Sequence, residues 1–254
     1  ELFGRVRKRV HLTTAGRRIL PDVERLLAHS EDLVFKARAA TEVVGTLSIA
    51  TLPTFGNRWL LPRLPHFLES HPGLMVDMTS RSAPFDLQAE NVDIAIHYGQ
   101  PVWANATCTY LCSEMILPVA APKLISEGAV ADRADLARQP LLHLTTRPRL
   151  WAEWFQSSGI EHGNAYRGNR FDQFSMIIMA ALQGMGVALL PTYLIEDELA
   201  AGSLQIVCDL PLQTNNSYYV VLADGNRNNA VAQAFQEWLL SRVDQRSVQA
   251  PAAS

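Results

Sequence analysis

The chain has little of what several broad classes of protein require. It holds three cysteines in 254 residues. That odd number in a long chain gives no disulfide framework and favours a reducing compartment, the cytoplasm by default. It has no long apolar run: segments 177–182 and 187–190 are broken by Gln, Gly and Pro far short of the roughly 20 residues a membrane helix needs. The opening ELFGRVRKRVHL has no initiator Met and no apolar stretch after its basic residues, so it reads as a cut chain and not as a secretory signal. There is no Gly-x-Ser-x-Gly elbow, no His-Glu-x-x-His and no Walker loop. Gly184-Met185-Gly186 lacks the third glycine and preceding strand of a dinucleotide site. Cys108 and Cys112 stand four apart with no nearby His pair, a poor metal site. No catalytic residue, cofactor or metal is expected.

What is present is an ordinary globular composition, 48% hydrophobic and 19% charged, which excludes disorder and leaves room for one large domain or two small ones. The charge is segregated. Residues 1–20 carry Arg5, Arg7, Lys8, Arg9, Arg17 and Arg18 against Glu1 alone, a net +5 that leaves the remainder at −8. A short basic module on an acidic body fits a polyanionic partner at one end; the alternative is a solvated basic turn with no partner.

After the basic stretch the pattern is helical. Thr13 or Thr14 can cap a helix whose apolar residues recur at Ile19, Val23, Leu26, Leu33, Ala37, Ala40 and Val44, which is coiled-coil spacing, with a kink expected at Pro21 and an end at Gly45. A helix of this length between a basic and an acidic module suits a dimerising linker, although packing on its own domain is the commoner fate of such a stripe.

From residue 46 the pattern alternates strand, turn and helix. Strands are expected at 46–51, 74–79 and 92–98, with a helix at 57–70 and a short helical piece between the last two strands. A second series follows: strand 115–120, helix 123–127, strand 141–144, helices 150–157 and 172–183, strand 187–190, helix 193–201 and strand 204–207. Strand 218–223, helix 229–243 and a disordered tail close the chain. Two α/β lobes on a mainly parallel sheet are the simplest account, with ligands at the carboxyl ends of the strands.

Several segments resemble the LysR-type transcriptional regulators. LFGRVRKRVHLTTAGRRIL is similar to the end of that family's winged helix-turn-helix, and LLPRLPHFLESHPGLMVDM, VDIAIHYGQPVW and GMGVALLPTYLIEDELAAGSL to three stretches of its effector domain. The HYG and Trp103 resemble most the branch that includes the glycine-cleavage regulator. The resemblance implies an α/β, two-lobed, periplasmic-binding-protein-like effector domain preceded by a winged-helix remnant and a long linker helix. The implied division is wing remnant 1–18, linker 19–45, effector domain 46–245 (lobe I 46–114 and 218–245, lobe II 115–217) and tail 246–254. The implied partners are promoter or operator DNA through the intact winged helix-turn-helix, a small-molecule effector, further copies in a homodimer or homotetramer, and RNA polymerase as a candidate. No membrane is among them. The helix that enters the major groove is expected to precede Glu1. Arg5, Arg7, Lys8 and Arg9 in the wing would meet phosphates without reading sequence.

For the effector site, the turn holding Thr51, Pro53, Thr54 and Phe55 offers hydroxyls and free N–H groups at a helix start, where an anion is favoured; Thr54 capping its own helix is the alternative. Ser82 follows the second strand. Phe171, Asp172 and Phe174 precede a helix across the cleft, with Asp172 as a plain N-cap the alternative. His97, Tyr98 and Tyr218 lie where strands linking the lobes are expected, His97 also being readable as a structural histidine. Two other readings stay open: a solute-binding protein of the same fold, and an enzyme, for which no nucleophile and base can be paired.

Overall fold

The computed structural model of the chain describes residues 1–6, 9–39, 45–126, 133–160 and 165–243. They divide into two compact units, Glu1–Thr46 with Pro72–Met75, and Leu47–His71 with Val76–Ser254.

The first unit is a hairpin followed by a helix. Strands β1 (Phe3–Val6) and β2 (Arg9–Leu12) pair antiparallel, with Arg5 opposite Val10 and Val6 opposite Arg9. The chain then enters α1 (Thr14–Ala39). Thr13 makes the join: its hydroxyl accepts from the Gly16 N–H at 3.1 Å and donates to the Glu1 carbonyl at 2.9 Å, while its own N–H bonds the Leu2 carbonyl at 3.0 Å. That satisfies a helix-start donor and anchors the first hairpin residues over it. A Cβ at Gly16 would collide with the Leu2 carbonyl oxygen, so only glycine lets the hairpin lie this close. Pro21, where a kink is expected, lies inside the helix. On its surface Ile19, Val23 and Leu26 are exposed. The side chains of Leu33 and Ala37, together with Ala40 and Val44, lie outside the described part, and Gly45 opens the next strand.

In chain order the elements that follow are β3 (Gly45–Thr51), α2 (Pro53–Phe55), a π turn (Gly56–Leu60), α3 (Leu61–Glu69), β4 (Leu74–Ser80), β5 (Ile94–Gly99) and β6 (Ala106–Ala120). Then come α4 (Pro122–Ser126), β7 (Leu141–Leu144), α5 (Leu150–Ser158), β8 (Gly168–Phe171), α6 (Phe174–Leu182), β9 (Val187–Pro191), α7 (Glu196–Ala200), β10 (Gln205–Ile206), β11 (Leu212–Ala223) and α8 (Ala230–Arg242). The strands form one sheet in the order β4-β3-β5-β11-β6-β9-β7-β8, with β10 pairing on β6.

The expected mainly parallel sheet is corrected to a mixed one. β3 with β5, and β7 with both β8 and β9, are parallel. The middle is antiparallel, because β6 and β11 pair with each other along most of their length. The amino-terminal part of β11 sits opposite Met115 and Ile116, whereas its later residues pair with both β5 and the first half of β6. These two strands therefore belong to both lobes. Their extra length over the expected 115–120 and 218–223 comes from polar alternation, ATCTYLCS and LQTNNSYY, which reads weakly as strand. Strand β8, whose GNRF sequence is mostly exposed, carries no apolar signal. The helical piece expected between β4 and β5 is absent: Asp86 accepts from the Gln88 and Ala89 N–H groups at 3.0 Å each, holding a turn.

The lobe of β7 and β9 is covered on both faces. Leu142, Leu144, Ala188 and Leu190 pack with Phe174, Ile177 and Ile178 of α6, and the alternate residues Leu141, Val187 and Leu189 pack with Trp151, Trp154 and Phe155 of α5. The indole nitrogens of Trp151 and Trp154 donate to the carbonyls of Leu142 and Leu210, so this pair packs the core.

Gly16→Ala tests the hairpin–helix join. An alanine in an open helix gains up to about 1 kcal/mol over glycine. Here the collision with a backbone carbonyl should reverse the sign and cost about 1–3 kcal/mol. Thermal loss of helical circular dichroism should shift to lower temperature.

Candidate functional site

A cleft of about 310 Å³ opens at the carboxyl ends of the strands between the two lobes. From the lobe of β3 and β5 it is lined by Leu52, Pro53, Thr54, Phe55, Ser82 and Tyr98, and from the other by Leu144, Thr146, Arg147, Asp172, Gln173, Phe174 and Leu194; Asn216 and Tyr218 come from β11. Eight of the expected residues are thus brought together: Pro53, Thr54, Phe55, Ser82, Tyr98, Asp172, Phe174 and Tyr218.

Three expected residues do not line this cleft, two of them, Thr51 and His97, lining a small second pocket that shares Leu52 and Ser82 with it. Thr51 is buried, its methyl against Gly56, where no side chain would fit. His97 faces Trp103 edge-on at 5.1 Å, Trp103 in turn bonding the Phe85 carbonyl and meeting its ring. Burial lowers the pKa of His97, and Gln100 opposes that by a backbone bond, which agrees with the structural reading of this histidine. Phe171 ends β8 and packs on the α6 core.

The two capping alternatives also resolve. Thr54 does not cap its own helix; its hydroxyl accepts at 3.1 Å from the N–H of Ser175, in the first turn of α6, and so joins one lobe to the other. The residue preceding α6 is Gln173, so Asp172 is left exposed on the cleft wall.

Bonded to two of the lining residues is a group that was not expected. Glu114, on β6, is 0% exposed. One of its oxygens accepts from the Tyr218 hydroxyl at 2.9 Å and the other is ion-paired with Arg147. The Arg147 side chain, 19% exposed, stacks on Tyr98 at 3.9 Å and reaches Phe174 at 5.0 Å. The Tyr98 hydroxyl bonds Thr214, and its ring lies 4.9 Å from that of Tyr218. Tyr218 stacks on Phe55 at 5.3 Å, and Phe55 on Trp59 at 5.0 Å. A charge pair and an aromatic stack therefore run continuously through both lobes and both shared strands.

Two signals for this group were present in the sequence. Glu114 is the lone acid in the mostly apolar segment YLCSEMILPVA (residues 110–120), and Arg147 lies just beyond the carboxyl end of β7, which spans the expected residues. Burial raises the pKa of Tyr98, Tyr193 and Tyr218, with the Glu114 charge adding to the effect at each. The Cys112 thiol is pushed up to about 12 by burial first and Glu114 second.

A two-lobed α/β domain with a cleft at the strand ends, spanned by two shared strands, defines the class of periplasmic-binding-protein-like ligand domains. The LysR substrate binding domain matches residues 40–244. The chain is 31% identical over 243 residues, 95% of its length, to the glycine cleavage system transcriptional activator of Escherichia coli (strain K12), covering 79% of that protein. Its fold is similar to the effector domain of the transcriptional regulator AmpR of Pseudomonas aeruginosa (TM-score 0.69, 28% identity, covering 77% of this chain and 94% of that one) and to the AmpR effector binding domain of Citrobacter freundii (TM-score 0.69, 27% identity, 78% and 97%). The chain belongs to the LysR family of transcriptional regulators. Its relatives are regulators and not enzymes, and they favour this reading over a transport solute-binding protein.

Tyr218→Phe should leave one Glu114 oxygen buried and unpaired, at a cost of about 1–3 kcal/mol in urea unfolding. For the three raised phenols the proton is favoured in the folded state. Their contribution is complete below the unfolded value of 10.0 and is lost as pH climbs beyond it. Alkaline titration by ultraviolet absorbance should show these tyrosines ionising together with unfolding, not before it.

Proposed function

We propose that this chain is a metabolite-controlled transcriptional regulator working in the cytoplasm, with its effector held in the cleft between the lobes. The observation that supports this is the convergence of Thr54, Phe55, Ser82, Tyr98, Asp172, Phe174 and Tyr218 from both lobes on one cavity. A ligand touching both lobes and the shared strands binds one relative arrangement of them better than another. That differential affinity is what shifts a two-state equilibrium. Thr54 on Ser175, and Arg58 on the Leu194 carbonyl at 2.6 Å and on Glu198, already tie the lobes, so the effector acts against or with those ties.

The hairpin, as a wing remnant (1–18), would meet DNA phosphates through Arg5 and Arg9, both exposed, and through Arg7 and Lys8, which lie outside the described residues. Residues 19–45 would form the linker, whose exposed Ile19, Val23 and Leu26 supply an apolar stripe for a second copy in a dimer or tetramer. The effector domain would occupy 46–245, with lobe I at 46–114 and 218–245 and lobe II at 115–217. Operator DNA and RNA polymerase are the macromolecular partners, and an anion is the favoured effector.

The test is thermal unfolding of the chain against fractionated bacterial metabolites. A ligand at about 100 times its Kd stabilises by about 2.7 kcal/mol, a rise of roughly 5–10 °C for a domain of this size. Ser82→Phe, an exposed change that fills the cleft mouth, should abolish the rise without lowering the Tm of the free protein. A stabilising fraction that acts equally on Ser82→Phe would place binding outside the cleft.

A further inference from the structure

Among the described lining residues the cleft holds one cation, Arg147. A guanidinium has five N–H groups. Of these Arg147 gives Nη1 to Glu114, and no other side-chain hydrogen bond of Arg147 is found among the described residues. Its faces are engaged by the Tyr98 and Phe174 rings. Arg147 is among the residues lining the cavity, its side chain 19% exposed, and a guanidinium fork can meet a planar carboxylate through two parallel bonds. The body of such a ligand would rest on Pro53, Phe55, Leu144, Phe174 and Leu194.

The charges limit the ligand further. Arg147 is the sole cation among the described lining residues, Asp172 the sole acid, and Glu114 lies directly behind the arginine with 0% exposure. The site is therefore already net negative. One added carboxylate can hydrogen-bond Arg147 although Glu114 already neutralises that cation; a second negative charge on the same ligand would face Glu114 and Asp172 with no further cation among the described lining residues, in surroundings where Coulomb repulsion is poorly screened.

We infer that the effector is a small monocarboxylate seated on Arg147, and that Glu114 behind it determines specificity by rejecting dianions. This rests on the cleft being the effector site, and it moves the anion contact from the Thr54 turn to Arg147. Glu114 acts through Arg147 and touches no ligand.

The experiment is titration calorimetry of the whole chain at constant ionic strength with acetate, butyrate and phenylacetate, their amides, succinate and inorganic phosphate. Hydrogen exchange of the cleft segments is followed alongside. At least one monocarboxylate should bind about tenfold or more tightly than its amide, succinate or phosphate, a gap of about 1.4 kcal/mol. Arg147→Gln should remove that binding. Arg147→Lys, which still neutralises Glu114 but lacks the fork, should weaken it by about tenfold or more. Glu114→Gln should narrow the gap between monocarboxylate and succinate by about tenfold, a change of discrimination that a structural defect alone would not produce. Succinate or phosphate binding the unaltered chain as tightly as any monocarboxylate overturns the inference. So does full carboxylate affinity in either folded Arg147 variant. Amides that bind and protect the cleft while carboxylates do not would refute the carboxylate and leave the cleft as the site. Failure of every probe to protect the cleft would count against both.

Discussion

The structure of the cleft depends on one buried charge. Glu114 is inserted into the middle of a strand that both lobes share, with no access to water. A carboxylate there is strongly unfavourable unless its oxygens are satisfied. Tyr218 from the neighbouring shared strand and Arg147 from the far lobe supply the partners. The requirement is geometric as well as energetic. Both groups must arrive at the same point, so the register of β6 against β11 and the position of the loop after β7 are fixed together. Replacing such a pair by hydrophobic residues often costs nothing, which makes it poor evidence for stability as such. Its location at the junction of the lobes makes it a device of arrangement.

The aromatic stack follows from the same point. Arg147 rests on Tyr98, Tyr98 leans on Tyr218, and Tyr218 lies against Phe55, whose helix start also carries Thr54. The Thr54 hydroxyl then accepts from the Ser175 N–H in the first turn of α6, in the other lobe. A ligand entering here meets groups that are already connected, and moving any of them disturbs the pair of Glu114 and Arg147. On the proposed reading, this network is what would couple an effector in the cleft to the arrangement of the lobes.

Much of this was legible in the sequence, and the failures have common causes. Strong apolar periodicity located β7 at its observed residues and α5, α6 and β9 to within a residue or two. The loops after β3 and before α6 could be named as cleft walls because ligands in α/β sheets collect at strand ends. The polar halves of β6 and β11 were missed because their alternation is between Thr, Cys, Asn and Tyr, residues with no sharp contrast between inside and outside. The parallel expectation failed with them, since those strands carry the antiparallel pairing. Thr51 and His97 stand outside the lining of this cleft for a different reason. Each belongs to a segment that does reach the cleft, but a strand turns alternate side chains to opposite faces, and the face was not fixed by the pattern. Glu114 and Arg147, 33 residues apart, are joined only by the fold.

The central claim is that Glu114 and Arg147 act as one unit holding the lobes. A double-mutant cycle measures this most directly, with Glu114→Ala, Arg147→Ala and both together, each unfolded in urea and followed by tryptophan fluorescence. The account predicts a coupling of about 2 kcal/mol or more, with the double variant less damaged than the sum of the two single changes. A coupling below about 0.5 kcal/mol, the level expected of independent sites, would contradict it.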